Sequence, residues 1–263
     1  MNEKFSNSPL VEIIAEIRWD VPAASQHSML SDDTANSYRP IFDLFSKKIA
    51  VKGYRNSERL YPKEFPLFPG EPVVRCRYDS DGSTESHELQ STLMQLGAGV
   101  FTVNGVQPYS SWDEFGPAVA TGVGVLEEVA GSHIGDNGVR PILRYIDAFE
   151  GDLIGGRSLK EFLSEVFGVI VAIPDALGSK AKDEETSLGS IALNVPLSFG
   201  NLSIKIGEGF AEDRPAIICD MTVTYKSKVR FSHSEIMTAF NGARDVIHTV
   251  FVGMTSPIHD RMR

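Results

Sequence analysis

Polar and apolar positions alternate from the first element onward. In LVEIIAEIRW, Leu10 to Trp19, Val11, Ile13, Ala15 and Ile17 point one way and Glu12, Ile14, Glu16 and Arg18 the other. That two-residue period predicts a strand with one well-buried face. The period then lengthens. Tyr38, Ile41, Phe42, Phe45 and Ile49 recur at three- and four-residue steps, the apolar stripe of an amphipathic helix. Asp32, Asp33 and Thr34 offer capping oxygens, and Pro40, tolerated near a first turn, predicts a start close to Tyr38. Residues 53–72 carry Gly53, Pro62, Pro66, Pro69, Gly70 and Pro72, punctuation that predicts a long loop without regular structure. A short strand, VVRCRYD, follows Pro72, and another runs from about Glu88 to Thr92 and on through LMQLGAGVFTVN.

Ser111 and Glu114 then match a capping box, with Phe115, Val119, Val123, Leu126 and Ala130 at helical spacing and Gly131 as the stop. Interior glycines cost such a helix about 1 kcal/mol each, which close approach to a layer beneath would offset. RPILRYIDAF, Arg140 to Phe149, reads as a strand. Ser158 and Glu161 form a second capping box, ahead of Leu159, Phe162, Leu163, Val166 and Phe167. Residues 174–187 are polar and predict an exposed loop. SIALNVPLSF and LSIKIGEGF read as a hairpin turning at Gly200-Asn201, and AIICDMTVTY completes a meander. In the last helix, Phe231, Ser232, Glu235 and Ile236 supply a capping box and a hydrophobic staple. An unbroken apolar stripe from Ile236 to Met254 follows, ending near Thr255 because Pro257 disfavours helix at Ser256.

These elements predict an α+β protein with antiparallel sheets covered by long helices, in two packed halves, 1–152 and 153–263. The second half is helix, three-stranded meander and long helix. In the first, the order strand, helix, strand, strand, helix, strand is compatible with a ferredoxin-like sandwich. Both halves pair antiparallel strands with a long helix, which points to an internal pseudo-symmetry.

Composition sharpens this picture in two ways. The chain of 263 residues has a net charge of −10, which argues against general nucleic-acid binding and anionic membranes. Two cysteines, Cys76 and Cys219, in no CxxC pair, predict a reducing, cytoplasmic setting rather than a disulfide framework. The longest apolar run, Val166 to Ile173, falls far short of the roughly 20 residues that cross a bilayer.

Two constellations carry candidate chemistry. GDLIGGRS has the spacing of a phosphate-binding loop, with Gly151, Gly156 and Ser158 in register and Arg157 where the lysine belongs. It lies between a strand and a helix, as such a loop must. Arginine is a poor substitute for the compact ammonium, and no strand supplies a convincing magnesium-holding aspartate. The alternative is a linker capped at Ser158. The second constellation is a polar strip on the last helix, Asn241, Arg244, Asp245 and His248. It reads either as a partner-binding strip or as a solvated flank with a helix ion pair. A hydrolase would need His248 to meet Asp245 in a pocket. None of the six histidines pairs with another His or a Cys at zinc spacing, so no metal and no cofactor are expected.

Four stretches, PLVEIIAEIRW, VNGVQPYSSWDEF, RPILRYIDAF and HTVFVGMTSPIHDRM, occur in an order and spacing that resemble a sporadically distributed family of uncharacterised bacterial proteins of about this length. The resemblance spans nearly the whole chain and rests on Glu12, Tyr109, Trp112, Phe115, Arg144, Tyr145, His248, Phe251 and Thr255. It transfers no catalytic residue. A patchy distribution implies an accessory role such as defence or toxin neutralisation. With no catalytic constellation, the expectation is a non-enzymatic interaction or adaptor subunit whose partner is another protein or a second copy of the chain. The alternative is a small-molecule or nucleotide-binding module built on Gly151 to Ser158.

Overall fold

The computed structural model describes residues 5–21, 29–79, 91–106, 111–172, 174, 176 and 188–263. Nine strands form one antiparallel sheet. They are β1 (Leu10–Arg18), β2 (Asn56–Arg59), β3 (Pro72–Arg77), β4 (Thr92–Gly97), β5 (Val100–Val106), β6 (Arg140–Phe149), β7 (Ser190–Pro196), β8 (Gly200–Ala211) and β9 (Arg214–Tyr225). Their order is β2-β3-β4-β5-β1-β6-β9-β8-β7. Three long helices, α1 (Asp32–Ala50), α2 (Trp112–Ile134) and α5 (His233–Thr255), pack on the sheet. Short helices α3 (Gly151–Ile154) and α4 (Leu159–Glu165) follow β6, and α6 (His259–Met262) closes the chain.

The expected pseudo-symmetry is plain in this order. Each half opens with a strand, continues through helix and meander, and ends in a long helix. The opening strands, β1 and β6, pair with each other at the centre of the sheet, and each also pairs with the last strand of its own half, β5 or β9. The topological repeat therefore begins at β6, and residues of 1–152 and 153–263 contribute to one sheet over one continuous apolar core. With β6 as its last strand, the first half does follow a ferredoxin-like order: β1, α1, β4, β5, α2 and β6 form the split β-α-β arrangement β4-β5-β1-β6, and β3 and β2 extend its far edge.

Several elements depart from the sequence pattern for local reasons. Helix α1 starts at Asp32, because Ser31 rather than a later residue accepts the Thr34 N–H. Pro40 lies inside the helix on an exposed side, where water can serve the exposed Asn36 whose carbonyl loses its partner. β2 lies within the stretch expected to be irregular. Its sequence, NSER, has no apolar signal, and it is recruited by backbone pairing to β3. Helix α2 runs past Gly131 to Ile134, and Ser111 makes no side-chain cap. The β7–β8 turn comes before Gly200, since Pro196 pairs with Asn201 and the Leu197 N–H donates to the Gly200 carbonyl. Gly200 is required by close packing instead: a Cβ there would stand 2.2 Å from the Thr224 carbonyl oxygen of β9. The expected strand start at Glu88, and nearly all of the 174–187 loop, lie outside the described residues.

Gly97, at the β4–β5 turn, is under the same constraint, with a Cβ falling 1.9 Å from the Glu71 carbonyl oxygen. Backbone cannot yield as a side-chain tip can. Gly97→Ala is expected to destabilise the fold by about 1–3 kcal/mol, read as a lower urea midpoint at unchanged m-value. An unshifted midpoint would show that β3 and β4 are not this closely apposed.

Candidate functional site

Alternation along the strands divides the sheet into two chemically different faces. Ile13, Ala15 and Ile17 of β1, Leu143 of β6, and Cys219, Met221 and Val223 of β9 are buried on the face that carries the helices. The register aligns their neighbours on the other face, where no described element covers them. At its centre Ile14 stands opposite Arg144, with Ile142 and Ile146 two residues to either side. All three isoleucines are only partly buried.

Polar side chains interleave with these isoleucines and bond one another. Arg144 grips Asp220 through two bonds, Nε to Oδ1 at 2.9 Å and Nη2 to Oδ2 at 2.7 Å, and Thr222 Oγ1 lies 3.2 Å from Asp220 Oδ1. The carboxylate bond holds the guanidinium of Arg144 even more firmly protonated than usual. On the other side Asn104 donates to Glu12 at 2.9 Å, and Arg75 reaches both Gln95 and Glu58. Arg18 pairs with Glu16. Arg140 and Lys205 share the face and have no hydrogen-bond or ion-pair partner among the described residues. In all, Arg18, Arg75, Arg77, Arg140, Arg144 and Lys205 stand against Glu12, Glu16, Glu58 and Asp220. The face therefore has a basic excess on a chain whose net charge is −10. Arg144, Ser203, Lys205, Asp220 and Thr222 line a recess of about 350 Å³ on it.

No family model and no curated protein matches this chain.

The residues singled out from sequence lie elsewhere. Gly151 opens α3, and Gly156 follows it at positive φ. Arg157 is engaged with Glu165 Oε2 at 2.8 Å and the Ile154 carbonyl at 2.7 Å. Ser158 caps α4 in a complete capping box, its N–H and hydroxyl each 2.9 Å from Glu161 Oε2. Those bonds push the Glu161 carboxyl below its ordinary pKa. A phosphate loop leaves such donors open for its ligand. Here the chain's own carboxylate fills the place, so the local geometry is that of the capped linker.

The strip on α5 divides. Asn241 Oδ1 accepts from Trp112 Nε1 at 2.9 Å, tying α5 to the start of α2. The Arg244 side chain is 16% exposed, lies near enough to Tyr145 to act on its charge, and bonds Asp245 Oδ1 at 3.1 Å. Asp245 points outward, and His248 is partly buried. Asn241 thus joins helix to helix. Tyr109, one of the residues on which the family resemblance rests, lies outside the described residues.

The carboxylates at the end of β6 and just beyond it do not converge. Asp147 is buried on the helix side with Oδ2 unpaired, Glu150 binds Arg214 at 2.9 Å, and Asp152 is exposed. Burial raises the Cys76 and Cys219 thiols, the state of inert structural cysteines. Among the described residues no group of three or more His, Cys, Asp or Glu could share a metal ion, and no helix is long and apolar enough to cross a membrane. Alternation along β1 puts Glu12, Glu16 and Arg18 on its second face, while Arg140 and Lys205 are not among the residues singled out from sequence. The available signal was the recurrence of Arg140 and Arg144 four apart in a strand, which puts both on one face.

Proposed function

We propose that this protein is a non-enzymatic interaction subunit that docks a protein partner on the uncovered face of its sheet. The observation carrying the reading is the arrangement of that face: on the two central strands Ile14, Ile142 and Ile146 alternate with Arg144, Glu12 and Glu16, and the polar side chains are bonded to neighbours. Protein interfaces combine apolar contacts that supply affinity with polar groups that supply register. The three partly exposed isoleucines supply the first and the bonded charges the second. The bonding also supports docking, because side chains already held by neighbours lose little freedom on binding. The likeness to a sporadically distributed bacterial family fits an adaptor in an accessory system, such as defence or toxin neutralisation.

The test compares variants of the tagged protein purified gently from its host. Ile142→Glu lies on the uncovered face, and Asp245→Lys lies on the exposed side of α5. A stoichiometric companion that is retained by Asp245→Lys and lost from Ile142→Glu supports the reading. A companion lost from Asp245→Lys and retained by Ile142→Glu overturns it, as does a wild-type protein that carries no companion and forms no oligomer.

A further inference from the structure

We infer that the partner presents carboxylates to this face, as an acidic protein segment with apolar residues among its Asp and Glu side chains. The inference rests on the docking reading above and adds the chemistry of what docks. Its first ground is the charge distribution: the uncovered face has a basic excess on an acidic chain. The partner's charge should complement the face rather than the whole molecule.

The second ground is the placement of the unanswered cations. Arg18 and Arg140 are directly opposed across β1 and β6, and like charges facing across a strand pair are unfavourable. Glu16 answers Arg18, and nothing described answers Arg140. Lys205 stands opposite Asp220, whose carboxylate Arg144 already grips, and makes no hydrogen bond or ion pair of its own among the described residues. Its strand position aligns with Ile146, six residues along β6 from Arg140. At about 3.3 Å per residue the two cations are some 20 Å apart along the strands, with Ile142 and Arg144 between their levels and Ile146 level with Lys205. An acidic segment with carboxylates toward its ends and apolar residues between would meet both cations and both isoleucines.

The same residues argue against nucleic acid. Glu12, Glu16 and Asp220 would face the phosphates, whose binding depends on concentrated positive charge. The strand residues of this face include no aromatic ring on which an unpaired base could stack.

The probe is a short fluorescent peptide of repeating Glu-Glu-Leu, followed by anisotropy, with a single-stranded oligonucleotide of equal charge as the competing polyanion. The protein is used full length, as wild type and as the double variant Arg140→Glu with Lys205→Glu. Both positions are on the solvated face, and a matched melting temperature confirms folding. Wild type is expected to bind the peptide in preference to the oligonucleotide. The double variant should bind it at least about tenfold more weakly, and added salt should weaken wild-type binding as well. Equal binding by the two proteins, absence of peptide binding by wild type, or preference for the oligonucleotide each overturns the inference. Failure here is separable from failure of the docking reading. If the host companion is lost from Ile142→Glu but survives the double variant, the face docks a partner and the acidic chemistry is wrong.

Discussion

Asp147→Asn is expected to stabilise the protein, by an amount that grows with pH from about 4 to about 8. Asp147 lies on β6 beneath the helices, is 2% exposed, and leaves Oδ2 without a partner. Desolvation raises its pKa from 3.8 to about 8. The folded protein therefore keeps a proton on this carboxyl through the range in which the unfolded chain gives it up. The folded state binds more protons there, so stability falls as pH rises, by about 1.4 kcal/mol per unit for a single group. Below about pH 4 both states are protonated and the penalty vanishes; above about pH 8 both are ionised and it levels off. Other groups near Asp147 do not share this window. The Tyr145 hydroxyl and the Cys219 thiol are themselves pushed up by burial. Asparagine imitates the neutral acid and cannot ionise, so the gain at pH 7 should approach about 4 kcal/mol and shrink toward zero at pH 4. Urea denaturation of both proteins across this range measures it. Parallel stability profiles would mean that Asp147 is ionised in the folded protein and balanced by a counter-charge.

How much of this was readable in the sequence depended on whether the signal was local. Helix α5 has an apolar stripe and a cap, and β6 and β9 are unbroken strand-like runs, so these three are legible near their true bounds; the stripe of α1 is equally legible, but Pro40 sets its expected start at Tyr38, six residues after Asp32. β2 is not legible, because NSER is a strand only through β3 beside it. The turn before Gly200 was misread for a related reason. Glycine marks either a turn or a close approach, and here the crowding comes from Thr224 of β9, a strand chosen by tertiary pairing. The candidate face was half legible. Alternation placed Glu12, Glu16 and Arg18 together, but nothing local says that β1 lies beside β6 or that Arg144 meets Asp220 across 76 residues. Gly151 to Ser158 has the intervals of a phosphate loop, and what spacing does not show is that Glu161 takes the Ser158 N–H and hydroxyl.

Phe149→Ala is expected to cost about 3–5 kcal/mol while leaving the uncovered face intact. Phe149 ends β6 fully buried, with ring centroids of Phe162, Phe167 and Phe251 at 5.1, 5.5 and 6.4 Å. Phe251 in turn packs on Phe5, which stacks near His259. One ring thus links the sheet to α4, to the end of α5 and, through them, to the N-terminal segment that bonds Met262 and Arg261. Truncation should loosen these elements first, because they are short and make few backbone bonds to the sheet. Hydrogen exchange should speed up in α4 and α6 before it does in β1 and β6, whose amides are held on both sides by neighbouring strands. Phe149→Leu keeps much of the volume and should cost substantially less. Loss of less than about 1 kcal/mol in Phe149→Ala would mean that the cluster collapses to fill the space. The two faces also separate stability from binding. Below its lowered melting temperature Phe149→Ala should bind whatever wild type binds, whereas Ile142→Glu should fold as wild type does and fail to bind. A variant of the helix-side core that abolished binding while the sheet stayed folded would place the contact surface on the wrong side of the molecule.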